Sequence, residues 1–296
     1  MRYDIMILNE LRGVMIMRIA ALGDIHSNHF ALEACMDWIY KNDIDGIAFL
    51  GDYVSDCPYP QKTMQIIRNI PCEYKTWFVR GNREDYMLFH KRNLTESWQY
   101  NSQSGSLLYT YENLSDSDLR FFEAMPIGME VKLDGYPPFS ICHGSMQSSC
   151  ELFYDNSPEI KSIAREMTTK LLICAHCHKQ YIYTKGAKTI LNAGTVGVPS
   201  HGDTDAQMAI IESNGGEWSV QTVAVPYDRE AVINEFYESG LIKKANVWSR
   251  TIIAVIKTGR HYNSECVQLV KRLCKELGRE FSDEEIWQMV ASELDI

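Results

Sequence analysis

The sequence predicts an α+β fold: a four-layer α/β/β/α sandwich of two mixed β-sheets flanked by helices, with a helical C-terminal extension. Three observations carry this expectation. From Met17 to Val79, short apolar runs alternate with helical patterns in the order strand, helix, strand, helix, strand, which implies parallel pairing through right-handed crossovers. From Ile127 to Val223 the chain becomes a succession of short strands, so a second sheet is expected to face the first. After Pro226 the pattern is helical again. The expected organisation is an N-terminal extension (1–16), a main domain (17–226) and a helical extension (227–296) that packs on or caps it.

Met17-Arg-Ile-Ala-Ala-Leu-Gly23 reads as a short buried strand running straight into Asp24-Ile-His26. Met15 and Met17 both suit a start, so the preceding stretch is either an upstream extension or an added edge strand. Asn28 is a good N-cap for a helix over His29–Lys41, in which Leu32, Cys35, Trp38 and Ile39 fall at helical spacing. Gly46–Leu50 is a compact apolar strand ending at Gly51-Asp52. A helix is expected around Gln61–Asn69, then a third strand over Thr76–Val79 that ends at Gly81-Asn82. Each of these strands finishes in a polar residue beside a glycine, and ligands of α/β sheets bind beyond the carboxyl ends of strands. The three ends should therefore converge.

Leu94–Tyr111, rich in Ser, Asn and Tyr and weak in periodicity, reads as a loop or irregular cap. Its aromatics Trp98, Tyr100, Tyr109 and Tyr111 either offer a stacking surface to a nucleobase or bury themselves against the sandwich. Ser115-Asp-Ser-Asp118 opens a short helix that Pro126 closes. Strands are expected at Met129–Leu133, Phe139–Cys142, Leu171–Ala175, Thr189–Asn192, Gln207–Glu212 and Trp218–Val223, with a helix near Ser157–Met167. The extension supplies helices over Arg229–Ser239, Ser264–Leu277 and Asp283–Leu294, the last opened by the capping-box pattern Ser282-Asp-Glu-Glu285.

Composition narrows the chemistry. Hydrophobic residues make up 45% of the 296 and charged residues 23%, as in an ordinary globular protein. No apolar run approaches the ~18 residues that span a bilayer, so no membrane association is expected. Acidic residues outnumber basic ones 39 to 29, for a net charge of -10, which argues against a stable complex with nucleic acid. An anionic substrate must instead be held by local charge, which bound metal ions would supply. The nine cysteines lack framework spacing and no secretory signal precedes them, so a reducing cytoplasm is expected. Cys174-x-x-Cys177 has neither a second cysteine pair at zinc-ribbon spacing nor a thioredoxin context, and reads as buried or incidental thiols. Whether copies associate into a homo-oligomer is open.

Five separated elements are dense in metal-capable side chains: Asp24-Ile-His26, Gly51-Asp52, Gly81-Asn82, His143-Gly144 and Ala175-His176-Cys177-His178. In an extended strand end, residues i and i+2 point the same way, so Asp24 with His26, and His176 with His178, are expected to aim two ligands at one cavity. Gly51 and Gly81 are expected to let the backbone approach the ions. Carboxylate, imidazole and amide oxygen suit transition metals: manganese or iron first, with zinc, cobalt or nickel as alternatives. Outside these elements, Asn28 is either a helix cap or a contact to phosphate or to the ligands. His201 and Asp203 either line the substrate cleft or belong to a polar loop, and His29, His90 and His261 read as ordinary surface or packing residues.

The ordered set resembles the calcineurin-like metallophosphoesterase superfamily, whose pattern runs Asp-x-His, Gly-Asp, Gly-Asn-His-Asp/Glu, His, then Gly-His-x-His. The resemblance covers roughly Met17 to Pro226. Asn192-Ala-Gly-Thr-Val-Gly-Val-Pro199 also resembles the Asn-Pro-Gly-Ser-Val-Gly segment of its compact bacterial and archaeal branch. The likeness implies that Asp24, His26 and His178 hold a first metal ion, that Asn82, His143 and His176 hold a second, and that Asp52 bridges both. Two positions depart from the pattern: Ala175 stands where the family has Gly, and Arg83 where it has a His that contacts phosphate and assists leaving-group departure.

Arginine stays protonated, so Arg83 makes a poor general acid but can grip phosphate oxygens bidentately. This favours a leaving group that is already a weak base, such as a nucleotide phosphate. The expected mechanism uses a metal pair roughly 3.5–4 Å apart, a bridging hydroxide and in-line attack, without a covalent intermediate. Asp52, Asn82, Arg83 and His143 would form the catalytic set, with Asn28, Arg83 and His201 toward substrate. The expected partner is a small-molecule phosphate, a nucleotide by preference. The likeness of the helical C-terminus to that of asymmetric diadenosine tetraphosphate hydrolases points to a dinucleoside polyphosphate. The alternatives are a phosphodiesterase acting on cyclic nucleotides or other diesters, and a non-catalytic scaffold of the same fold, like the retromer subunit.

Overall fold

The computed structural model describes residues 16–93, 98–214 and 216–296. The expected N-terminal extension, Ile16 apart, lies outside the described residues.

β1 (Arg18–Leu22), α1 (His29–Lys41), β2 (Gly46–Phe49), α2 (Pro60–Arg68) and β3 (Lys75–Phe78) follow in the expected order, with β1, β2 and β3 parallel. Then come α3 (Asn82–Arg92), α4 (Gly105–Glu112), α5 (Asp116–Ala124), β4 (Gly128–Val131), β5 (Phe139–Cys142) and α6 (Pro158–Glu166). They are followed by β6 (Leu171–Cys174), β7 (Tyr181–Lys185), β8 (Lys188–Asn192), β9 (Ala206–Asn214) and β10 (Glu217–Val225). The last two strands return antiparallel beside β1, completing a five-stranded sheet β10-β9-β1-β2-β3. The other sheet, β4-β5-β6-β8-β7, is also five-stranded and mixed.

Alternation along the strands builds the four layers. Ile19 and Ala21 of β1 pack against Phe139, Ile141 and Ile173 of the facing sheet. Ala20 and Leu22, pointing the other way, pack with Leu32, Cys35 and Ile39 of α1. On the far side, Leu172, Cys174 and Ile190 sit under Ile160 and Ala164 of α6. Each fully buried Leu, Ile or Phe in these interfaces contributes about 1.5–3 kcal/mol over an exposed one.

The C-terminal unit comprises α7 (Arg229–Glu238), α8 (Leu241–Lys244), α9 (Asn246–Thr258), α10 (Tyr262–Leu277) and α11 (Glu284–Leu294). α7 is tied to the sandwich by the Glu235 carboxylate, which meets the buried His29 Nε2 at 3.0 Å and Lys62 Nζ at 2.5 Å. Among the described residues, no helix is long and apolar enough to cross a membrane.

Five elements were not expected: α3, α4, β7, α8 and α9. The stretch read as an irregular cap contains α4, whose Gly105 lies so close to the Lys244 carbonyl that a Cβ would overlap it. Contact with α8 thus favours a helix that local periodicity does not announce. The aromatics there are spent on packing: Tyr109 is buried, and Trp98 stacks on His90 at 4.0 Å while Tyr111 meets it edge-on at 4.7 Å. Tyr100 is exposed and held by Glu112 and Lys244. Helix α3 starts on Asn82, and β7 pairs with β8 through a turn at Gly186 (φ 62°). α9 was missed because its run Thr251-Ile-Ile-Ala-Val-Ile256 is β-branched and almost wholly apolar, a pattern that local spacing does not mark as helical.

Candidate metal centre

Asp24 and Asp52 follow the ends of the parallel strands β1 and β2, and Asn82 begins α3 just beyond β3. His143 follows β5, and His176 and His178 follow β6. The two sheets face each other with these ends on one side, so all seven side chains meet.

Their donor atoms form two adjoining groups. Asp24, His26 and His178 present ligand atoms all within 4.8 Å of one another, and so do Asp52, His143 and His176. In the first group, the Nε2 atoms of His26 and His178 stand 3.1 Å apart and lie 3.7 and 3.5 Å from Asp24 Oδ1. In the second, His143 Nε2 is 3.5 Å from Asp52 Oδ1 and 3.1 Å from Asn82 Oδ1. The groups meet across 3.8 Å contacts, from His143 Nε2 to Asp24 Oδ1 and from His26 Nε2 to Asp52 Oδ2.

Three imidazoles are oriented from behind. His143 Nδ1 faces the Leu50 carbonyl at 2.8 Å, His178 Nδ1 the Val198 carbonyl at 3.0 Å, and His26 Nδ1 the Asp56 carboxylate at 3.1 Å. A proton on each Nδ1 leaves the Nε2 lone pair directed inward, the arrangement of a metal-ligating histidine. Asp24 Oδ1 is buried without a hydrogen-bond partner among the described residues. An orphaned carboxylate oxygen among converging imidazole nitrogens fits a cation.

The electrostatics agree. Burial opposes charge on His26, yet the adjacent Asp24 and Asp56 carboxylates and the field of Asp52 raise it to about 10. Burial likewise opposes charge on His143, but the Asp52 and Asp24 carboxylates raise it to about 9. Against its own burial, Asp24 is held well below the usual carboxylate range by His178 and His143. The cluster carries a negative potential that calls for cations.

The backbone pays for this convergence in strain. Asp24 (φ 51°), His26 (49°), Asp52 (52°), Asp56 (65°), His176 (69°) and His178 (58°) all occupy the left-handed region. Each non-glycine residue there costs on the order of 1–3 kcal/mol, and such outliers gather at functional sites. The paired ligands are therefore not brought together by extended backbone, as the i, i+2 argument supposed, but by tight turns. The glycines also act differently from expectation. A Cβ on Gly51 would overlap the Gly81 backbone, and a Cβ on Gly81 the Asp52 carboxylate, so they make room for each other and for a ligand.

The Asn192–Pro199 segment clamps the first turn. Val196 and Gly197 donate to the Gly23 and Asp24 carbonyls at 3.0 and 2.9 Å, and Thr195 Oγ1 donates to the Asp24 carbonyl at 2.9 Å. Asn192 Nδ2 donates to the Ala175 carbonyl at 2.6 Å, tying in the His176 turn. Glu84 does the same for the second turn, accepting from the backbone amides of Asp52, Tyr53 and Gly81 at 2.8, 2.9 and 2.8 Å. Burial and the Asp52 carboxylate push its acid up to about 7.

Asp56 is the residue that sequence reasoning missed. It is buried and accepts from Arg83 Nη2 at 3.0 Å and Trp248 Nε1 at 2.8 Å, besides facing His26. The only hint was its place four residues beyond Asp52 in a loop with no apolar pattern. Arg83 pairs with Asp56, not with Glu84 or Asp85, and its Nε lies 3.9 Å from Asp52 Oδ2.

The remaining candidates divide. Asn28 is buried, accepts from Ala31 N at 3.1 Å and donates to the Gly197 carbonyl at 2.8 Å, so it serves the turn and the helix cap. His201 faces the Cys177 carbonyl at 3.3 Å and meets the His261 ring at a tilt of 42°, with centroids 4.7 Å apart. Asp203 is exposed and accepts from Thr204 and Asp205 amides in its own turn. His261, read as ordinary, lines the cleft together with His176 and His178. Cys174 and Cys177 are buried, and burial pushes the Cys177 thiol up to about 12, so neither is poised to ligate or react.

Two adjoining carboxylate–imidazole groups at the strand ends of face-to-face sheets define a metal-dependent phosphoesterase. Residues 17–216 match the calcineurin-like phosphoesterase superfamily domain, and the chain belongs to that superfamily, a hydrolase acting on phosphoester bonds. It is 26% identical over 249 residues to an uncharacterized protein of Methanocaldococcus jannaschii, covering 78% of this chain and 94% of that protein. A hypothetical protein of Pyrococcus horikoshii superposes with a TM-score of 0.71 at 18% identity, over 82% of this chain and 98% of that one. A metallophosphoesterase from Sphaerobacter thermophilus does so with a TM-score of 0.64 at 21% identity, over 83% and 100%. At these identities the two structures bear on the fold alone.

Proposed function

We propose that Asp24, His26 and His178 hold one divalent transition-metal ion, that Asn82, His143 and His176 hold a second, and that Asp52 is shared between them. The chain then hydrolyses a small phosphate ester or anhydride, with a nucleotide or dinucleoside polyphosphate as the preferred class. The observation that supports this most is the pair of ligand groups adjoining through Asp24 and Asp52, with Asp24 Oδ1 otherwise unpartnered. The oxygen and nitrogen donors favour manganese or iron.

Ions of this kind supply Lewis acidity, which lowers the pKa of water and neutralises phosphoryl oxygens. The chain's own residues do the rest. The Leu50 and Val198 carbonyls hold the His143 and His178 rings in their ligating orientation. Arg83, buried on most sides beside Asp56 and lining the cleft, presents a permanent positive charge to phosphoryl oxygens. It keeps its proton, since the neighbouring Asp56 and Asp52 carboxylates raise its pKa further against the effect of burial. The leaving group must therefore depart without help from this position, which favours phosphate or phenolate over an alkoxide.

The test is a series of aryl and alkyl phosphates assayed with manganese, with iron and with chelator. Turnover is expected with metal and lost with chelator, and the rate should depend more steeply on leaving-group basicity in wild type than in Arg83→His. No metal-dependent turnover on any member would sink the function. Equal slopes would sink the role given to Arg83.

A further inference from the structure

Beyond the metal centre the cleft continues in two lobes of about 310 and 360 Å³. The smaller opens over Asp56, Arg83 and Tyr86, and the larger over His176, His178 and His261. Both are walled by Trp248 of α9 and by Val267 and Lys271 of α10. Cavities of roughly 300 Å³ and more accommodate a whole small molecule, so the space exceeds what one phosphate needs.

The charge of this wall is unusual for the protein. The chain carries a net charge of -10, yet the larger lobe has no carboxylate in its lining. It offers the neutral donors Asn263, Ser264 and Gln268 and the ammonium of Lys271. Lys271 is exposed and forms no ion pair among the described residues, whereas its neighbour Arg272 turns away to Glu293 at 3.2 Å. The wall is also registered to the reacting centre. Trp248 Nε1 donates to Asp56 Oδ1 at 2.8 Å, and the same carboxylate holds Arg83 Nη2 at 3.0 Å and faces His26.

We propose that Lys271, with Trp248 lining the same space, forms a subsite for a second phosphoryl group, so that the enzyme prefers nucleoside di- and polyphosphates to monoesters. This rests on the proposed phosphohydrolase activity and names its substrate class. At the floor of the cleft the oxygen of water bonds to the attacked phosphorus. The bridging P–O bond breaks with its electron pair going to the departing phosphate, and the proton of water passes to solvent. Lys271 neutralises the charge on the phosphate that departs, and such a leaving group needs no proton from Arg83.

The probes are ADP, with two phosphoryl groups, and p-nitrophenyl phosphate, with one, compared by kcat/KM with manganese present. In Lys271→Ala the ratio of ADP to p-nitrophenyl phosphate should fall about tenfold, the scale of one charge-assisted hydrogen bond, chiefly through KM. Lys271→Arg should keep the ratio within about threefold, since the charge remains. An unchanged ratio in Lys271→Ala overturns the subsite. A second arm measures calorimetric binding of the methylene analogue of ADP to the manganese-loaded protein, and expects about fivefold weaker binding in Lys271→Ala. Equal affinity overturns the subsite even if hydrolysis stands. Weakened binding without hydrolysis of either probe supports the subsite and overturns the proposed activity.

Discussion

The floor of the cleft and its helical wall are held by different means. On the floor, Asp24, His26, Asp52, Asp56, His176 and His178 sit on left-handed backbone, locked by Glu84 and by the Asn192–Pro199 segment. On the wall, Trp248 and Lys271 project from ordinary helices backed by an apolar cluster of Val247, Cys266, Val270, Ile286 and Trp287. Converging four or more donors on a point requires turns that disfavour side chains, and the surrounding packing must over-determine them. Recognising the outlying part of a small molecule requires only side chains carried on a rigid element. Precision is therefore stored in the backbone on one side of the cleft and in packed helices on the other, with Asp56 joining the two.

The sharpest way to break this comparison is to change a ligand without changing the turn. Asp52→Asn keeps the shape of the side chain and removes its charge, so turnover should drop below about a thousandth of wild type, some 4 kcal/mol on the barrier. The far-UV circular dichroism should stay as it is. A variant that keeps a tenth of the activity would show that the floor does not depend on the Asp52 carboxylate.

Gly81→Ala attacks the turn itself. Its Cβ would overlap the Asp52 carboxylate, so the second turn must shift, and stability in urea should fall by about 1–3 kcal/mol. Bound manganese per chain should fall with it. Unchanged metal content would mean that the floor tolerates slack, contrary to the strain seen there.

Trp248→Phe tests the junction and carries the smallest effect. It removes the hydrogen bond to Asp56 while keeping an aromatic ring in the wall, and KM for ADP should rise about fivefold, close to 1 kcal/mol. A loss confined to kcat would place Trp248 with the floor instead of the wall.

Much of the sandwich was legible because its strands are short, apolar and punctuated. Gly46–Phe49 and Phe139–Cys142 announce themselves by composition alone, and Ser115 and Asp118 cap α5 as their spacing suggests. The helices α4 and α9 were illegible for opposite reasons. α4 owes its form to contact with the Lys244 region, and the central run of α9 is a β-branched apolar stretch whose period does not announce a helix. At the site, Asp24, His26, Asp52, His143, His176 and His178 could be singled out because unusual residue types recur at strand ends. Asp56 could not, since an acidic residue in a polar loop looks like any other until Arg83, His26 and Trp248 surround it. His261 and Lys271 were invisible likewise, sitting far along the chain with no local pattern to set them apart from surface residues.

What the chain determined by itself was the position of most of its strands and the identity of the side chains able to bind metal, because both depend on local spacing. What only the tertiary structure decided was which groups share a cavity: Arg83 with Asp56, Trp248 with Asp56, Lys271 with His176 and His178. Those pairings join segments up to 192 residues apart, as Trp248 and Asp56 are, and distance along a chain carries no information about distance in space once the sheets have closed on each other.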